Sequence, residues 1–285
     1  MPTDDPLQEA FKTHPRRWRS FRYVYPVIAR RSRGLSIGIN LNPDGACTFD
    51  CVYCCVDRGL LPPGASVDLT VLEAELRAVA ANVAGLFDEP EFRAIPESYR
   101  RLCDLAFSGD GEPTAVAAFP AAVEIAAAVR RDFRLSETKI VLITNATCLA
   151  RPAVAAALRV LDQNQGEIWA KLDAGTNAYY RRVNRSKVAL PQVLENLLAA
   201  ARVRPIVIQS MFPRLGGRVP PATEVAAYVE RLRWLRDQHG QIARVQIYTV
   251  ARAPAEPDVA PLDVSELEVI AAQVRGLGLA VEVFG

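Results

Sequence analysis

Two patterns of apolar residues alternate along most of the chain. Short runs such as 140–144 are apolar at consecutive positions, which is typical of a parallel strand buried on both faces. Longer segments such as 69–83 are apolar at every third or fourth position, which is typical of a helix with one buried face. The apolar runs predict six strands and a terminal one, at 35–41, 105–108, 140–144, 168–173, 206–211, 245–250 and 279–284.

Helices are predicted between these strands, which gives six βα units, an α/β fold class and a single domain at 35–285. The first helix is expected to begin near Thr70, which would form a capping box with Glu73. The last helix has a second candidate box, Ser265 with Glu268, and Gly278 to end it.

Polar side chains recur near the C-terminal ends of the later strands. Lys171 and Asp173 share one face of the fourth strand, Gln209 lies on the fifth, and Gln246 and Tyr248 share a face of the sixth. A closed barrel fills its interior with Val, Ile and Leu. The pattern therefore favours an open, partial (β/α)6 TIM-like barrel that holds a polar ligand.

Composition narrows the possible partners. The 285 residues include 34 Lys and Arg against 32 Asp and Glu, so the net charge of +2 does not by itself indicate a nucleic-acid partner. Half of the residues are hydrophobic, yet no run approaches the ~18 apolar residues of a membrane span. We therefore expect a soluble, cytoplasmic protein with no membrane partner.

Residues 1–34 are expected to form a basic N-terminal arm. No acidic residue occurs from Lys12 to Pro43, and basic and aromatic residues are mixed there. Such mixing suits phosphate contacts and base stacking, as in RNA binding. The alternative is an arm that packs its aromatic side chains on the barrel and leaves its arginines in solvent. These residues are Lys12, Arg16, Arg17, Trp18, Arg19, Phe21, Arg22, Tyr23, Tyr25, Arg30, Arg31 and Arg33.

Three closely spaced cysteines, Cys47, Cys51 and Cys54, follow the first strand, and the Pro-Asp-Gly sequence before them favours a loop. An iron–sulfur cluster is the simplest group that binds all three thiolates. A cubane cluster takes one thiolate per iron, so three leave one iron open to an outside ligand. Ligands collect at the C-terminal ends of barrel strands, so this loop is expected at the catalytic rim.

The same three cysteines are also compatible with a buried stripe, a zinc site or a disulfide. Their spacing places three side chains on one face of a helix, as in an ordinary buried stripe. A structural zinc needs four soft ligands, and Cys55 is a candidate for the fourth, so a zinc-binding structural or interaction protein is an alternative. A disulfide needs an oxidising compartment, and no apolar secretory segment is found at the N-terminus.

The cysteine spacing, with the aromatic Tyr53 before the last cysteine, resembles the signature of the radical S-adenosylmethionine (radical SAM) superfamily. A second motif follows the second strand. Gly111 and Glu112 match the superfamily's Gly-Gly-Glu motif, which receives the amino group of the methionine moiety, although Asp110 replaces the usual first glycine. The wider motif, from Ser108, resembles that of the tRNA wyosine synthases. A plain turn before a helix is the alternative for this stretch.

Further short stretches, at 144–147, 171–174, 209–212 and 248–252, are similar to that subgroup. The resemblance implies that Cys47, Cys51 and Cys54 hold a [4Fe-4S] cluster. It implies S-adenosylmethionine (SAM) contacts from Tyr53, Gly109, Asp110, Gly111, Glu112, Asn145, Lys171 and Asp173, and it assigns no catalytic residue. For Asn145, Lys171 and Asp173 the alternative is a polar group at a strand end that is satisfied by backbone.

The resemblance also implies the reaction. A reduced cluster would pass one electron to SAM, releasing methionine and a 5′-deoxyadenosyl radical that takes hydrogen from a substrate the sequence does not identify. The expected partner is an electron donor such as flavodoxin or ferredoxin. RNA is one candidate substrate, which makes a tRNA-base-modifying enzyme an alternative. The tRNA-acting archaeal type has extra N-terminal cysteines for a second cluster, and none precedes Cys47, so we expect one cluster.

Overall fold

The structure is a computed structural model that describes residues 5–12, 16–57, 64, 66–254 and 256–285. Parts of the predicted arm, at 1–4 and 13–15, therefore lie outside the described residues. The helices are α1 (Pro6–Lys12), α2 (Leu69–Ala81), α3 (Val83–Leu86), α4 (Phe119–Asp132), α5 (Pro152–Asp162), α6 (Asn177–Val183), α7 (Leu190–Val203), α8 (Ala222–Asp237) and α9 (Val264–Arg275). The strands are β1 (Val24–Ala29), β2 (Gly34–Ile39), β3 (Leu102–Phe107), β4 (Lys139–Thr144), β5 (Gly166–Lys171), β6 (Ile206–Met211), β7 (Arg214–Leu215), β8 (Ile242–Tyr248), β9 (Val259–Ala260) and β10 (Val281–Phe284).

One eight-stranded sheet has the order β1-β2-β3-β4-β5-β6-β8-β10. All six predicted strands and the terminal strand occur in it, and all except β6 have at least one end shifted by a few residues. β1 pairs antiparallel with β2, whereas β3, β4, β6, β8 and β10 join the sheet through parallel pairings. Parallel strands that alternate with helices form the predicted βα units.

The β1 strand was not predicted, because it lies inside the segment that was assigned to the arm. Its partner β2 follows after a short turn, and Val24 and Ile39 are opposite each other in the hairpin. The apolar run at 24–28 contains Pro26, which is tolerated here because β1 is an edge strand. The boundary at residue 34 therefore separates two paired strands.

Contacts divide the chain into two compact units. The first unit contains Met1–Ala46, Leu61–Leu142 and Ala156–Glu167, and its core includes Phe107 packed edge-on against Phe119 at 5.5 Å between ring centres. The second unit contains Cys47–Leu60, Ile143–Ala155 and Ile168–Gly285, with Phe212 packed edge-on against Tyr228 at 5.1 Å. Two of the unit boundaries fall within β4 and β5.

Both predicted capping boxes were wrong by about half a turn. Asp68 caps α2, since its carboxylate accepts the backbone N–H groups of Thr70 and Val71 at 3.0 and 3.2 Å, so Thr70 lies inside the helix. Asp263 begins α9, where its own N–H donates to Glu266. Asp is at least as good an N-cap as Ser or Thr, so each helix begins at the earlier acidic residue.

Candidate functional site

The cysteine loop is held to the end of α6 by backbone hydrogen bonds within the second unit. The Asp50 N–H donates to the Asn184 carbonyl at 2.9 Å, and the Val52 N–H donates to the Val183 carbonyl at 3.0 Å. The segment is a loop rather than a helix, as the sequence predicted. Two main-chain contacts on alternate residues fix its path, so the side chains between and beside them have defined positions.

Two of the three cysteine sulfurs accept hydrogen bonds from asparagine side chains. The Asn145 Nδ2 lies 3.7 Å from the Cys47 Sγ, and the Asn184 Nδ2 lies 3.6 Å from the Cys51 Sγ. The backbone N–H of Phe49 also donates to the Cys47 Sγ at 3.5 Å. Thiolate sulfurs in metal centres accept such outer hydrogen bonds, so the surroundings of these sulfurs suit a bound cluster.

All six cysteines of the chain are thiols in the structure, and none forms a disulfide. Burial raises the pKa of the Cys51 thiol to about 12, although the nearby Lys171 ammonium acts to lower it. In the part of the chain that the structure describes, no three His, Cys, Asp or Glu side chains converge on a single ion position. A cluster places each thiolate on a different iron, so its ligands need not converge on one point.

Asp173 is the centre of a buried hydrogen-bond network in the second unit. Its side chain is fully buried, and it accepts hydrogen bonds from the Tyr53 hydroxyl, the Asn184 amide at 2.9 Å and the Met211 backbone N–H at 2.9 Å. Burial, followed by the Asp173 charge, raises the pKa of Tyr53 well above its ordinary value, so its hydroxyl stays a donor. Tyr53, predicted to contact SAM, is thus fixed by its hydroxyl to Asp173.

Lys171 places a cation beside this network. Its Nζ donates to the Tyr248 hydroxyl at 2.7 Å, lies 3.6 Å from Asp173, and sits 5.0 and 5.3 Å from the ring centres of Tyr53 and Tyr248. Burial is the largest single influence on Lys171 and acts to lower its pKa, but the Asp173 carboxylate, together with Tyr248 and Cys51, holds the pKa above its usual range. Lys171 is therefore charged at neutral pH.

A row of polar side chains crosses the strands next to Lys171. Lys171 is opposite Gln209 in the sheet, Gln209 is opposite Gln246, and Gln246 is opposite Glu282. The Gln209 amide donates to Gln246 at 2.8 Å, and the Gln246 amide donates to Glu282 at 2.9 Å. The polar face expected from the sequence is present, and its two glutamines bond to each other and to Glu282.

The glycine motif lies in the first unit and is tightly packed against its own chain. A Cβ on Gly111 would lie 1.9 Å from the carbonyl oxygen of Ala46, and one on Gly109 would lie 2.2 Å from the Asn40 Oδ1. The Asn40 amide donates to Asp110 at 2.6 Å. Both glycines are therefore required for internal packing, whatever ligand they also contact.

Glu112 is buried in this motif. Its Oε1 accepts the backbone N–H of Thr114 at 3.1 Å and also the Thr114 hydroxyl, while its own N–H donates to the Ala46 carbonyl at 3.3 Å. The residue therefore acts as the N-cap of the 3-10 turn Pro113–Ala115. This is the turn-before-a-helix arrangement that the sequence left open.

Three residues that contact the cysteine loop or the glycine motif were not predicted as site residues from the sequence. Asn184 follows α6, a short helix that was not predicted either, so no sequence signal marked it. Asn40 directly follows β2 and contacts the glycine motif. Arg16, counted in the arm, donates to the Gly109 carbonyl within the first unit. The predicted ligand groups otherwise fall into two sets, Gly109 to Glu112 in the first unit and the rest in the second.

The aromatic residues of the basic arm are mostly buried. Trp18 packs on Phe92 at 5.7 Å between ring centres, and Tyr23 and Tyr25 are at most 3% exposed. These three rings are packed in the way expected from the alternative in which the arm buries its aromatic side chains and leaves its arginines in solvent. The exposed cations of this region include Arg17, Arg19, Arg22 and Arg33.

Among the described residues, no helix has the length and apolar character needed to cross a membrane. No family model matches the sequence. The UPF0026 protein MJ1312 of Methanocaldococcus jannaschii is 30% identical over an alignment of 183 residues, and the match covers 61% of this chain and 48% of that protein. The match therefore spans about half the length of that curated relative.

Two solved structures have the same fold over nearly the whole chain. A radical SAM methyltransferase from Sphaerobacter thermophilus matches with a TM-score of 0.61 and 14% identity, over 92% of this chain and 68% of that one. SuiB from Streptococcus suis, bound to S-adenosylmethionine, matches with a TM-score of 0.58 and 12% identity, over 90% and 52%. The predicted partial (β/α)6 TIM-like barrel is confirmed. The chain has the fold of the radical SAM enzymes, and at the level of the fold the resemblance found in its sequence is confirmed.

Proposed function

We propose that this chain is a radical SAM enzyme that holds a [4Fe-4S] cluster on Cys47, Cys51 and Cys54. The observation that supports it most is the cysteine loop itself: the spacing Cys-x3-Cys-x2-Cys occurs in a chain with this fold, and amide N–H groups donate to two of its sulfurs. When bound, the cluster supplies one-electron reduction of SAM, which yields methionine and a 5′-deoxyadenosyl radical able to take hydrogen from a substrate.

The thiols are the groups that the protein must prepare for the cluster. Metal binding requires thiolates and therefore releases protons. A buried Cys51 thiol with a raised pKa holds its proton until a metal replaces it, and the Lys171 ammonium favours the resulting negative charge. The loop is fixed by main-chain bonds, so little ordering is left to occur on binding.

The SAM contacts predicted from the resemblance remain part of this proposal, with roles adjusted to the observed partners. Gly109, Asp110, Gly111 and Glu112 would present backbone groups to the amino group of SAM, since Glu112 itself already caps a turn. Among the residues of the second unit, Lys171 is a charged donor suited to an anionic group. Tyr53, Asn145 and Asp173 would act mainly by shaping and holding the site, because each is engaged with neighbouring side chains.

The proposal includes an electron donor such as flavodoxin or ferredoxin, and a cytoplasmic location, where thiols stay reduced. Hydrogen abstraction by an unprotected radical requires exclusion of water, and the buried network around Asp173 fits that need.

The test is anaerobic reconstitution with iron and sulfide, followed by dithionite and SAM. We expect about four irons per chain by the rule of one thiolate per iron, and formation of 5′-deoxyadenosine. Replacing Cys47, Cys51 and Cys54 together with alanine should abolish both results, whereas the matched variant Cys103→Ala should retain both. A fully loaded protein that forms no 5′-deoxyadenosine would contradict the proposal, and stoichiometric zinc without iron would support the zinc-binding alternative.

A further inference from the structure

The side chain of Asn184 connects the cysteine loop to Asp173. Asn184 has no exposed surface and follows the last residue of α6. Its Nδ2 lies 3.6 Å from the Cys51 Sγ, 2.9 Å from the Asp173 Oδ2 and 3.2 Å from the Tyr53 oxygen. One amide nitrogen, with two hydrogens, thus serves a predicted cluster cysteine and a buried carboxylate at once.

The orientation of this amide is set by Asp173. Both Asp173 oxygens accept hydrogen bonds, Oδ1 from the Met211 N–H and Oδ2 from the Tyr53 hydroxyl, so the Asn184 amide turns its nitrogen, and not its oxygen, toward Asp173 and the adjacent Cys51 sulfur. The Asn184 Oδ1 is buried and has no hydrogen-bond partner in the described residues. An unpaired buried acceptor is destabilising. The network therefore holds the N–H on the sulfur side even at the expense of the oxygen.

Asn145 gives the Cys47 sulfur the same kind of donor from a different element. It follows β4, and its Oδ1 accepts the backbone N–H of Thr147 at 3.1 Å and the Thr147 hydroxyl at 2.8 Å. These contacts turn the Nδ2 toward the Cys47 Sγ, at 3.7 Å, and the Thr48 hydroxyl, at 2.8 Å. Two amides, each oriented by its own partners, thus donate to two predicted cluster cysteines.

We propose that Asn184 and Asn145 are positioning residues that set the reduction potential of the cluster through N–H···S hydrogen bonds to Cys51 and Cys47. The inference rests on the proposed function, because it requires the cluster. Adding an electron makes the cluster and its thiolates more negative, so a donor to sulfur stabilises the reduced state more than the oxidised state. Hydrogen bonds to the sulfurs are among the factors that set such potentials.

The experiment compares Asn184→Ala and Asn145→Ala with the wild-type chain, each reconstituted without SAM. Asn184→Ala keeps the main-chain hydrogen bonds that hold the cysteine loop, because these bonds are accepted by the backbone carbonyls of residues 183 and 184 and not by the side chain. The matched control is Asn164→Ala, since the Asn164 amide donates to the backbone carbonyl of Val160. The measurement is the midpoint potential from a redox titration followed by the electron paramagnetic resonance signal of the reduced cluster.

We expect each test variant to be harder to reduce, with the ratio of reduced to oxidised cluster at a fixed potential falling several-fold and up to about tenfold. A tenfold change corresponds to a fall of about 59 mV for one electron. The double variant should fall further than either single variant, and the control should match the wild type. If Asn184→Ala does not fold, Asn145→Ala alone decides the outcome.

Two results separate this inference from the function on which it rests. Fully loaded variants with the wild-type potential, or an equal fall in the Asn164→Ala control, would overturn the inference while the cluster remains established. A wild-type chain that takes up no cluster would overturn both.

Discussion

Gly111 allows a direct test of whether the glycine motif is built for packing or for a ligand. A Cβ at this position would lie 1.9 Å from the Ala46 oxygen and 2.7 Å from the Asn42 Cβ. To reach ordinary contact, the Ala46 carbonyl would have to move by about 1.5–2 Å. Ala46 immediately precedes Cys47, so Gly111→Ala should disturb both the folded core and the start of the cysteine loop.

The expected loss of stability follows from two terms. Overpacking typically costs about 1–3 kcal/mol. The displaced carbonyl would also lose the hydrogen bond from the Glu112 N–H, which contributes about 0.5–1.5 kcal/mol. We therefore expect Gly111→Ala to lower the free energy of unfolding by about 2–4 kcal/mol. Urea denaturation of the metal-free protein measures this value.

The matched control for this variant is Gly276→Ala. Gly276 has φ −59° and a right-handed helical conformation, and the nearest atom to its added Cβ lies 3.1 Å away, so alanine should change stability by less than about 1 kcal/mol. A Gly111→Ala protein with the wild-type free energy of unfolding would refute the packing argument. If that protein also lost SAM binding, the glycine would be required for close approach of the ligand.

Three further predictions concern other groups. Lys171→Met should lower the free energy of unfolding. The loss should be less than the about 3–5 kcal/mol that breaking a buried ion pair costs, because Asp173 keeps its other hydrogen-bond donors. Urea denaturation at pH 7 measures this loss. Burial raises the pKa of Asp104 in the folded protein above its value in the unfolded chain. The protonated carboxyl therefore stabilises the fold at pH values below the unfolded-state pKa, and this stability is lost as the pH rises through the folded-state pKa. Asp104→Asn should therefore weaken the fall in unfolding free energy with rising pH, and an unchanged pH profile would contradict this. If the arm binds RNA through phosphates, neutralising its exposed arginines should weaken RNA binding and flatten the salt dependence of that binding. Unchanged binding would remove this role for the arm. The arginines to neutralise are Arg17, Arg19 and Arg22.

The alternation of strands and helices could be predicted because parallel strands and amphipathic helices have distinct apolar periods. Ile206–Met211 was placed at its observed bounds, since every position of that strand is buried. β1 was not predicted, because its short apolar run contains Pro26 and is flanked by arginines. The observed N-caps of α2 and α9 differ from the predicted ones because an aspartate two residues earlier, Asp68 or Asp263, caps the helix instead.

For the candidate site, the sequence indicated candidate residues for the chemistry but not the groups that those residues contact. The Cys-x3-Cys-x2-Cys spacing is local, so it could be read directly. Asn184 lies more than a hundred residues from Cys51, and their proximity depends on the register of α6 against the cysteine loop. A single sequence does not encode that register in any short pattern. Long-range partners of this kind were therefore the main omission.

In the second unit, the partners of a polar residue decide whether it can still bind a ligand. Asp173 would be a strong ligand-binding group if exposed, but it accepts three protein donors. Lys171 has three donor hydrogens, and its described hydrogen bond to Tyr248 uses one of them. The fixed carboxylate therefore favours the charged lysine and positions Asn184 and Tyr53, while the lysine retains capacity to bind an anion. If this division is correct, Lys171→Met should weaken binding of an anionic ligand more than a change at Gln246, which lies further along the same row and bonds to Glu282.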